Sequence, residues 1–112
     1  MSLKIVNITI NTTDPKALAD WWVAALSGEI TADYGDFVFT RVGDIGLGFQ
    51  RAEPNHPNRI HFDIDAGPDR AAEVGRLVGL GAQHVADHEV PGLVWTIMRD
   101  PHGNEFCVAQ GH

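Results

Sequence analysis

Apolar and polar residues alternate strictly along the stretch Arg59–Asp65. Three apolar positions in this stretch alternate with the polar residues His61, Asp63 and Asp65. Because successive side chains of a strand point to opposite faces, the pattern predicts a half-buried strand with one polar face. A second stretch near the start of the chain, Lys4–Asn11, alternates in the same way and predicts another strand.

The two alternating stretches are related by a shift of 54 residues. This shift places Asn7 on His61 within the strands, and it carries Leu26 onto Leu80 at the end of the segment after each strand. Self-similarity at such a period is typical of one supersecondary unit that is used twice.

A helix is predicted to follow the first strand. Asp14 is an N-cap candidate, Pro15 suits the first helical position, and Gly28 is expected to end the helix as a C-terminal glycine. Trp21 and Trp22 are adjacent and cannot share one helix face. We therefore expect one of them in the core and the other near its edge or at a subunit contact.

Three more strands complete the first unit, giving the order β-α-β-β-β. They are predicted over Glu29–Asp33, Phe37–Val42 and Ile45–Arg51. The last of them contains Gly46 and Gly48, which leave room for the close approach of backbone or of a ligand.

The same order recurs after a proline-containing linker, which is predicted over residues 54–58. Asp69 begins the second helix, whose apolar stripe runs from Ala71 to Leu80, and Gly81 ends it. The remaining predicted strands are Ala82–Asp87, Leu93–Arg99 and Glu105–Ala109. We therefore expect a single domain over residues 1–112, with one unit in residues 1–53 and the other in residues 59–112.

The composition narrows the possible partners. The formal net charge is −7, and only eight residues are Lys or Arg. Such a chain lacks the basic surface that nucleic acids and anionic membranes require. No apolar run approaches the ~20 residues that span a bilayer, and none resembles a signal peptide. Cys107 is the single cysteine and cannot form an internal disulfide. We expect a cytoplasmic protein with neither a nucleic-acid nor a membrane partner.

Three motifs accompany the tandem units. An acidic residue and a proline begin the first helix, Leu80-Gly81-Ala82 ends the second, and the turn Asp100-Pro101-His102-Gly103-Asn104 precedes the last strand. In this order they resemble the vicinal oxygen chelate superfamily, which includes glyoxalase I, extradiol dioxygenases, and fosfomycin and bleomycin resistance proteins. The chain is most similar to the short glyoxalase-like domains. The resemblance implies an α+β fold of tandem βαβββ units, whose curved sheets form a half-open cup with the helices on its convex face.

The resemblance also implies four metal-ligand positions, two in each unit. They fall on Asn7, Gln50, His61 and Cys107, where metal-using members commonly have His or Gln, Glu, His and Glu. Asn and Gln offer only neutral amide oxygens, whereas hard cations prefer carboxylates. We therefore predict no tightly bound catalytic metal ion and no other cofactor. Zinc would accept His61 and Cys107, but zinc sites use at least three protein ligands, so weak zinc-like binding stays open.

Residue parity places a set of polar side chains on the sheet face away from the helices. The candidate ligand-binding residues on this face are Asn7, Thr9, Asp63, Glu105 and Cys107, and the implied metal positions add Gln50. His61 is the candidate catalytic residue, because histidine gains and loses a proton near neutral pH. The alternative is that these are ordinary polar residues of a wetted sheet, with Cys107 as a small buried apolar residue.

Three functions are compatible with these features. The first is a glyoxalase-like lyase or isomerase that acts on a small oxygenated molecule. The second is a metal-free protein that binds and sequesters a small molecule, as bleomycin resistance proteins do. The third is an accessory domain without a ligand. Relatives of this size commonly pair, and twofold pairing is the commonest oligomer symmetry, so we also expect a homodimer.

Overall fold

The computed structural model describes residues 5–54 and 58–110. The chain divides into two units, residues 1–54 and 55–112. Within the described residues, each unit contains one helix and one four-stranded mixed sheet. The protein is therefore α+β and consists of tandem βαβββ units, as the sequence predicts.

The first unit contains β1 (Ile8–Thr12), α1 (Pro15–Leu26), β2 (Glu29–Asp33), β3 (Phe37–Val42) and β4 (Ile45–Arg51). Its strand order is β1-β4-β3-β2, with β1 parallel to β4 and the other pairs antiparallel. The last three strands have the predicted bounds. The first is shorter than predicted, because it begins at Ile8 and Lys4 lies outside the described residues.

The second unit contains β5 (Asp63–Asp65), α2 (Arg70–Gly79), β6 (Gln83–Val90), β7 (Leu93–Arg99) and β8 (Glu105–Gln110). Its strand order, β5-β8-β7-β6, repeats the first unit, and β5 is again parallel to its neighbour. Residues 55–57 of the predicted linker lie outside the described residues.

The register of the two sheets shows how far the 54-residue repeat extends. Thr9 of β1 lies opposite Gly48, and its equivalent, Asp63 of β5, lies opposite Cys107, so the last strands of the two units are 59 residues apart. The β2–β3 ladder is irregular between residues 30 and 32, and the β6–β7 ladder is irregular between residues 84 and 86. A β-bulge kinks a strand locally, so its recurrence at the same offset shows that the repeat extends to backbone detail.

Helix α1 packs on β3 and β4. The Asp14 carboxylate accepts a hydrogen bond of 3.2 Å from the Ala17 amide and caps the helix. Leu18 and Trp22 are fully buried, and Val38 of β3 and Leu47 and Phe49 of β4 are buried with them. Trp21 is half-buried and lies edge-on to Trp22, with ring centroids 4.9 Å apart, as expected for the outer member of the pair.

The end of α1 differs from the prediction. Ser27, and not Gly28, takes the left-handed conformation, with φ of 56°. A Cβ on Gly28 would come within 2.8 Å of the Arg41 carbonyl oxygen and of Val42 Cγ2. A residue without a side chain is therefore required at position 28, where the backbone lies against β3. The left-handed conformation is adopted by the residue before it, Ser27.

The predicted apolar stripe of α2 is mostly exposed. Leu77 is the one residue of this helix that is buried, whereas Val78 is 46% exposed and Leu80, just after the helix, is 40% exposed. Asp69 caps this helix as predicted, with its carboxylate accepting from the Ala72 amide at 3.0 Å. The helical spacing is thus correct, but most of the apolar stripe does not contribute to the core.

The predicted strand Arg59–Asp65 is wrong at its beginning, because β5 includes only its last three residues. The amide of Asn58 donates to the Glu105 carbonyl, and the Glu105 N–H donates back to Asn58 Oδ1. The Asn58 side chain therefore makes the backbone hydrogen bonds to Glu105 of β8 that a strand residue would otherwise make. The ladder resumes where the Cys107 N–H donates to the Phe62 carbonyl at 2.8 Å.

Strand β6 is longer than predicted and continues to Val90. Its pairing with β7 runs up to the turn, where Val90 lies opposite Leu93. Gly92 in that turn has φ of 84°, which glycine adopts readily. Among the residues described here, no helix is both long and apolar enough to cross a membrane.

Candidate functional site

The second sheet has one face that carries α2 and one that does not. Arg70, the first residue of α2, donates to the hydroxyl of Thr96, so Thr96 marks the helix side of β7. Residues of opposite parity lie on the other side, which we call the helix-free face of the second sheet. It is defined by Asp63, Trp95, Ile97, Glu105 and Cys107.

Three chemically reactive side chains converge at one edge of this face. The Nε2 atom of His61 lies 3.2 Å from Oδ1 of Asp63. One ligand-type atom from each of His61, Asp63 and Cys107 lies within 4.8 Å of the other two. The side chains of His61 and Asp63 are 52% and 63% exposed, so a solute can reach them.

Cys107 is the most shielded member of this cluster. Its backbone is fixed between Phe62 and Ile97, and its side chain is half-buried. Burial raises the pKa of the Cys107 thiol above its ordinary value, and the carboxylates of Asp63 and Glu105 raise it further. Such a thiol keeps its proton at neutral pH, so Cys107 is not placed to act as an unassisted nucleophile.

Glu105 lies on the same face, but its carboxylate already has a partner. Its Oε2 accepts from Nε and Nη2 of Arg99 at 3.1 and 3.0 Å. The turn before Glu105 fixes its position, because the buried carboxylate of Asp100 accepts from the His102 and Asn104 backbone amides. The predicted D-P-x-G-N turn therefore anchors the start of β8.

An aromatic pair lies farther across the helix-free face. The rings of His88 and Trp95 stack with centroids 5.3 Å apart and an interplanar angle of 24°. The two residues face each other in the β6–β7 register, and Trp95 is half-buried. This pair gives the face a flat aromatic surface beside its polar cluster.

The other predicted site residues belong to the first unit. Gly46 lies against Asn7, since a Cβ there would come 2.4 Å from the Asn7 amide oxygen. Gly48 lies against Thr9 in the same way, with 3.0 Å to its hydroxyl oxygen. The space left by the two glycines is thus taken by the Val6 carbonyl oxygen and by these two side chains, as expected for a close approach of backbone. Gln50 is half-buried and lies opposite Asn11.

The residues at the four implied metal positions do not fit the metal site of metal-using relatives. Asn7 and Gln50 supply neutral amide oxygens, and the last position is the thiol of Cys107. A hard cation needs charged oxygen ligands to offset its dehydration. His61 alone keeps the usual ligand type, so no step in the chemistry below depends on a metal held by these four residues.

Comparison with known proteins agrees with this fold. The sequence matches the profile of the glyoxalase-like domain family over residues 7–109, so the chain belongs to that family. A comparison with curated protein sequences gives no match.

Solved structures of the glyoxalase, bleomycin resistance protein and dioxygenase superfamily are similar in fold. A family enzyme from Burkholderia phytofirmans PsJN has a TM-score of 0.82 at 15% identity, covering 95% of this chain and 97% of that chain. The fosfomycin resistance protein FosX from Listeria monocytogenes has a TM-score of 0.83 at 13% identity, covering 100% and 96%. TioX from Micromonospora sp. ML1 has a TM-score of 0.68 at 16% identity, covering 97% and 99%.

The sequence did not indicate the residue that positions His61. Asn58 lies in the predicted linker, yet its side chain makes three hydrogen bonds, to the Ile60 carbonyl and to both backbone groups of Glu105. Asn58 thereby holds the segment that carries His61 beside β8. An asparagine shortly before an alternating stretch is the only sequence signal for this role, and it is a weak one.

Proposed function

We propose that this glyoxalase-like protein is a lyase- or isomerase-type enzyme that acts on a small oxygenated molecule, with His61 as the group that transfers a proton. The contact between His61 and Asp63 is the observation that supports the proposal most directly. Both side chains are accessible, and they lie on a sheet face that also offers an aromatic surface.

The chemistry follows from which nitrogen of the ring carries the proton. When the neutral His61 ring is protonated at Nε2, the atom that lies 3.2 Å from Asp63, its lone pair is at Nδ1. Asp63 then orients the imidazole and stabilises the imidazolium that forms when Nδ1 takes a proton. A C–H group next to a carbonyl group can lose its proton to such a base, and the proton can then return to a neighbouring atom of the substrate.

Solvent deuterium exchange tests this proposal without knowledge of the physiological substrate. Dihydroxyacetone, hydroxyacetone and the hemithioacetal of methylglyoxal with a thiol would be incubated with the protein in D₂O and followed by NMR. We expect the protein to accelerate exchange of the carbon-bound hydrogens of at least one of them. His61→Gln should slow that exchange by at least about 100-fold, the lower range of general acid–base catalysis.

His84→Gln is the matched control, because His84 is an exposed histidine on the same sheet whose Nε2 contacts Asp87 and not Asp63. It should retain most of the exchange rate. Equal loss in both variants, or no exchange above the rate without protein, would contradict the proposal.

Metal-free binding and sequestration of a small molecule is the second candidate, and the stacked His88–Trp95 pair favours it. FosX, similar in fold to this chain, is named as a fosfomycin resistance protein, which supports small-molecule chemistry on this fold. Under this candidate, a planar ligand would bind without being changed. Trp95→Leu would weaken its binding at least tenfold, whereas His61→Gln would have little effect.

We also propose that the protein forms a homodimer. Apolar side chains that would be covered by a partner are exposed in the described chain, including Val78 and Val90. Light scattering at micromolar concentration gives the mass directly, and a monomer mass would exclude the proposal.

A further inference from the structure

We infer that His61, Asp63 and Cys107 form a binding site for a thiophilic divalent metal ion such as Zn²⁺ or Co²⁺. This set shares His61 and Cys107 with the four positions that the resemblance implies, but it includes Asp63 and uses neither Asn7 nor Gln50. All three residues belong to the second unit.

The geometry is close to that of a tetrahedral zinc site. Two nitrogen or oxygen ligands at about 2.0–2.1 Å from zinc lie about 3.3 Å apart in tetrahedral coordination. His61 Nε2 and Asp63 Oδ1 are 3.2 Å apart. All three ligand-type atoms lie within 4.8 Å of one another, so rotation of exposed side chains is sufficient to close them around an ion.

The charges also balance. The Asp63 carboxylate and a Cys107 thiolate carry two negative charges, and His61 binds a metal as a neutral ring. A divalent ion makes the site neutral, whereas without an ion the Cys107 thiol keeps its proton and Asp63 is the one anion of the three. Binding exchanges one proton, because the Cys107 thiol releases its proton to solvent and the sulfur then takes the ion. Arg99 holds the nearby Glu105 carboxylate, so that side chain is occupied elsewhere.

The donor set determines which ions fit. One imidazole nitrogen, one thiolate sulfur and one carboxylate oxygen favour Zn²⁺ and Co²⁺ over Mg²⁺ and Ca²⁺, which prefer oxygen ligands alone. The exposure of His61 and Asp63 leaves the fourth position to water or a solute. An ion bound to a ring nitrogen of His61 would inhibit the proposed proton transfer by this residue. This inhibition rests on the proposed function, whereas the metal binding itself does not.

Cobalt substitution tests the site by a spectroscopic signature. The full chain, kept reduced with a phosphine and freed of metal, would be titrated with Co²⁺. We expect a saturable sulfur-to-cobalt charge-transfer band in the near ultraviolet that Zn²⁺ removes and Mg²⁺ does not. Cys107→Ser should abolish the band. Asp63→Asn and His61→Gln should each weaken Co²⁺ binding at least tenfold, because the loss of a residue that only hydrogen-bonds to a metal ligand already costs that much.

His88→Gln is the control, and it should bind Co²⁺ as the unmodified chain does. Absence of the band in the unmodified chain, or equal binding by the Asp63→Asn variant, would overturn the inferred site. Deuterium exchange measured with and without Zn²⁺ separates the two proposals. A charge-transfer band without any exchange activity would leave the metal site standing and the proposed enzyme function contradicted. Exchange activity without a band would do the reverse.

Discussion

The side-chain amide of Asn58 pairs with both backbone groups of Glu105, across 47 positions of sequence. The Nδ2 group donates to the Glu105 carbonyl at 3.0 Å, and Oδ1 accepts from its N–H at 2.8 Å. This double contact replaces strand pairing at the edge of β8. It also fixes where the chain enters β5, and so where His61 lies.

Replacing Asn58 should therefore loosen the site as well as the fold. Asn58→Ala removes three hydrogen bonds and should lower the free energy of unfolding by about 1–3 kcal/mol, measured by urea unfolding. The segment over Cys107 should open more often, and its alkylation by iodoacetamide should accelerate. Asn58→Asp keeps the acceptor for Glu105 N–H and should show a smaller loss. An unchanged alkylation rate in Asn58→Ala would show that Asn58 does not hold this segment.

Two substitutions at the C-terminus of α1 should have opposite effects on the free energy of unfolding. Ser27 has a left-handed backbone, which costs an L-residue about 1–2 kcal/mol and glycine far less, although glycine loses more entropy on folding. Ser27→Gly should therefore stabilise the protein by about 0.5–1 kcal/mol. Gly28→Ala should destabilise it by about 1–3 kcal/mol, because the new methyl group would overlap the Arg41 carbonyl.

Thermal unfolding of both variants checks this prediction. A neutral Gly28→Ala would mean that Gly28 does not lie against the Arg41 carbonyl, and a destabilising Ser27→Gly would mean that Ser27 does not have the left-handed conformation.

The two helices should differ in how much they tolerate truncation. Leu18 of α1 is fully buried, and Leu18→Ala should cost about 2–5 kcal/mol. Val78 lies at an apolar position of α2 but is 46% exposed, so Val78→Ala should change the stability by about 0.5 kcal/mol or less. Urea unfolding of the two variants gives both values. A large loss for Val78→Ala would mean that this side chain is covered in solution, as a subunit contact would cover it.

The sequence predicted the fold well where local signals agreed. Alternation located β1 and β5, and Asp14 and Asp69 cap both helices as predicted. The prediction was wrong where a contact between residues distant in sequence determined the structure. Residues 59–62 alternate as a strand should, but the side chain of Asn58 takes the hydrogen bonds of Glu105 that such a strand would have used. Periodicity contains no information about a partner 47 residues away.

The site was predicted in part for a related reason. Parity alone placed His61, Asp63 and Cys107 on one sheet face, because strand residues two apart share a side. Parity could not show that the side chains of His61 and Asp63 converge to 3.2 Å. His61 precedes β5, so strand parity does not determine where its side chain lies. It also could not show that Arg99 pairs with Glu105, since the two residues meet only through the register of β7 and β8.

The last prediction concerns acid stability and rests on Asp87 of β6. Its Oδ1 accepts from the Thr96 hydroxyl at 2.7 Å, and its Oδ2 lies 3.0 Å from Nε2 of His84. The hydrogen bond from Thr96 lowers the pKa of Asp87 below its ordinary value of 3.8, and His84 lowers it further. The ionised carboxylate is thus favoured in the folded state. Its stabilisation is complete above the ordinary value and is lost as the pH falls through the folded pKa.

Asp87→Asn should consequently be less stable than the unmodified chain near neutral pH, and the difference should shrink as the pH falls below the ordinary value of 3.8. Urea unfolding at a series of pH values between about 7 and about 2 measures this difference. Asp44→Asn, in the turn between β3 and β4, makes the same change in net charge and serves as the control. If the difference for Asp87→Asn were the same at every pH, the loss would come from altered packing and not from the ionised carboxylate. If Asp44→Asn reproduced the pH dependence, the cause would be net charge and not the contacts with Thr96 and His84.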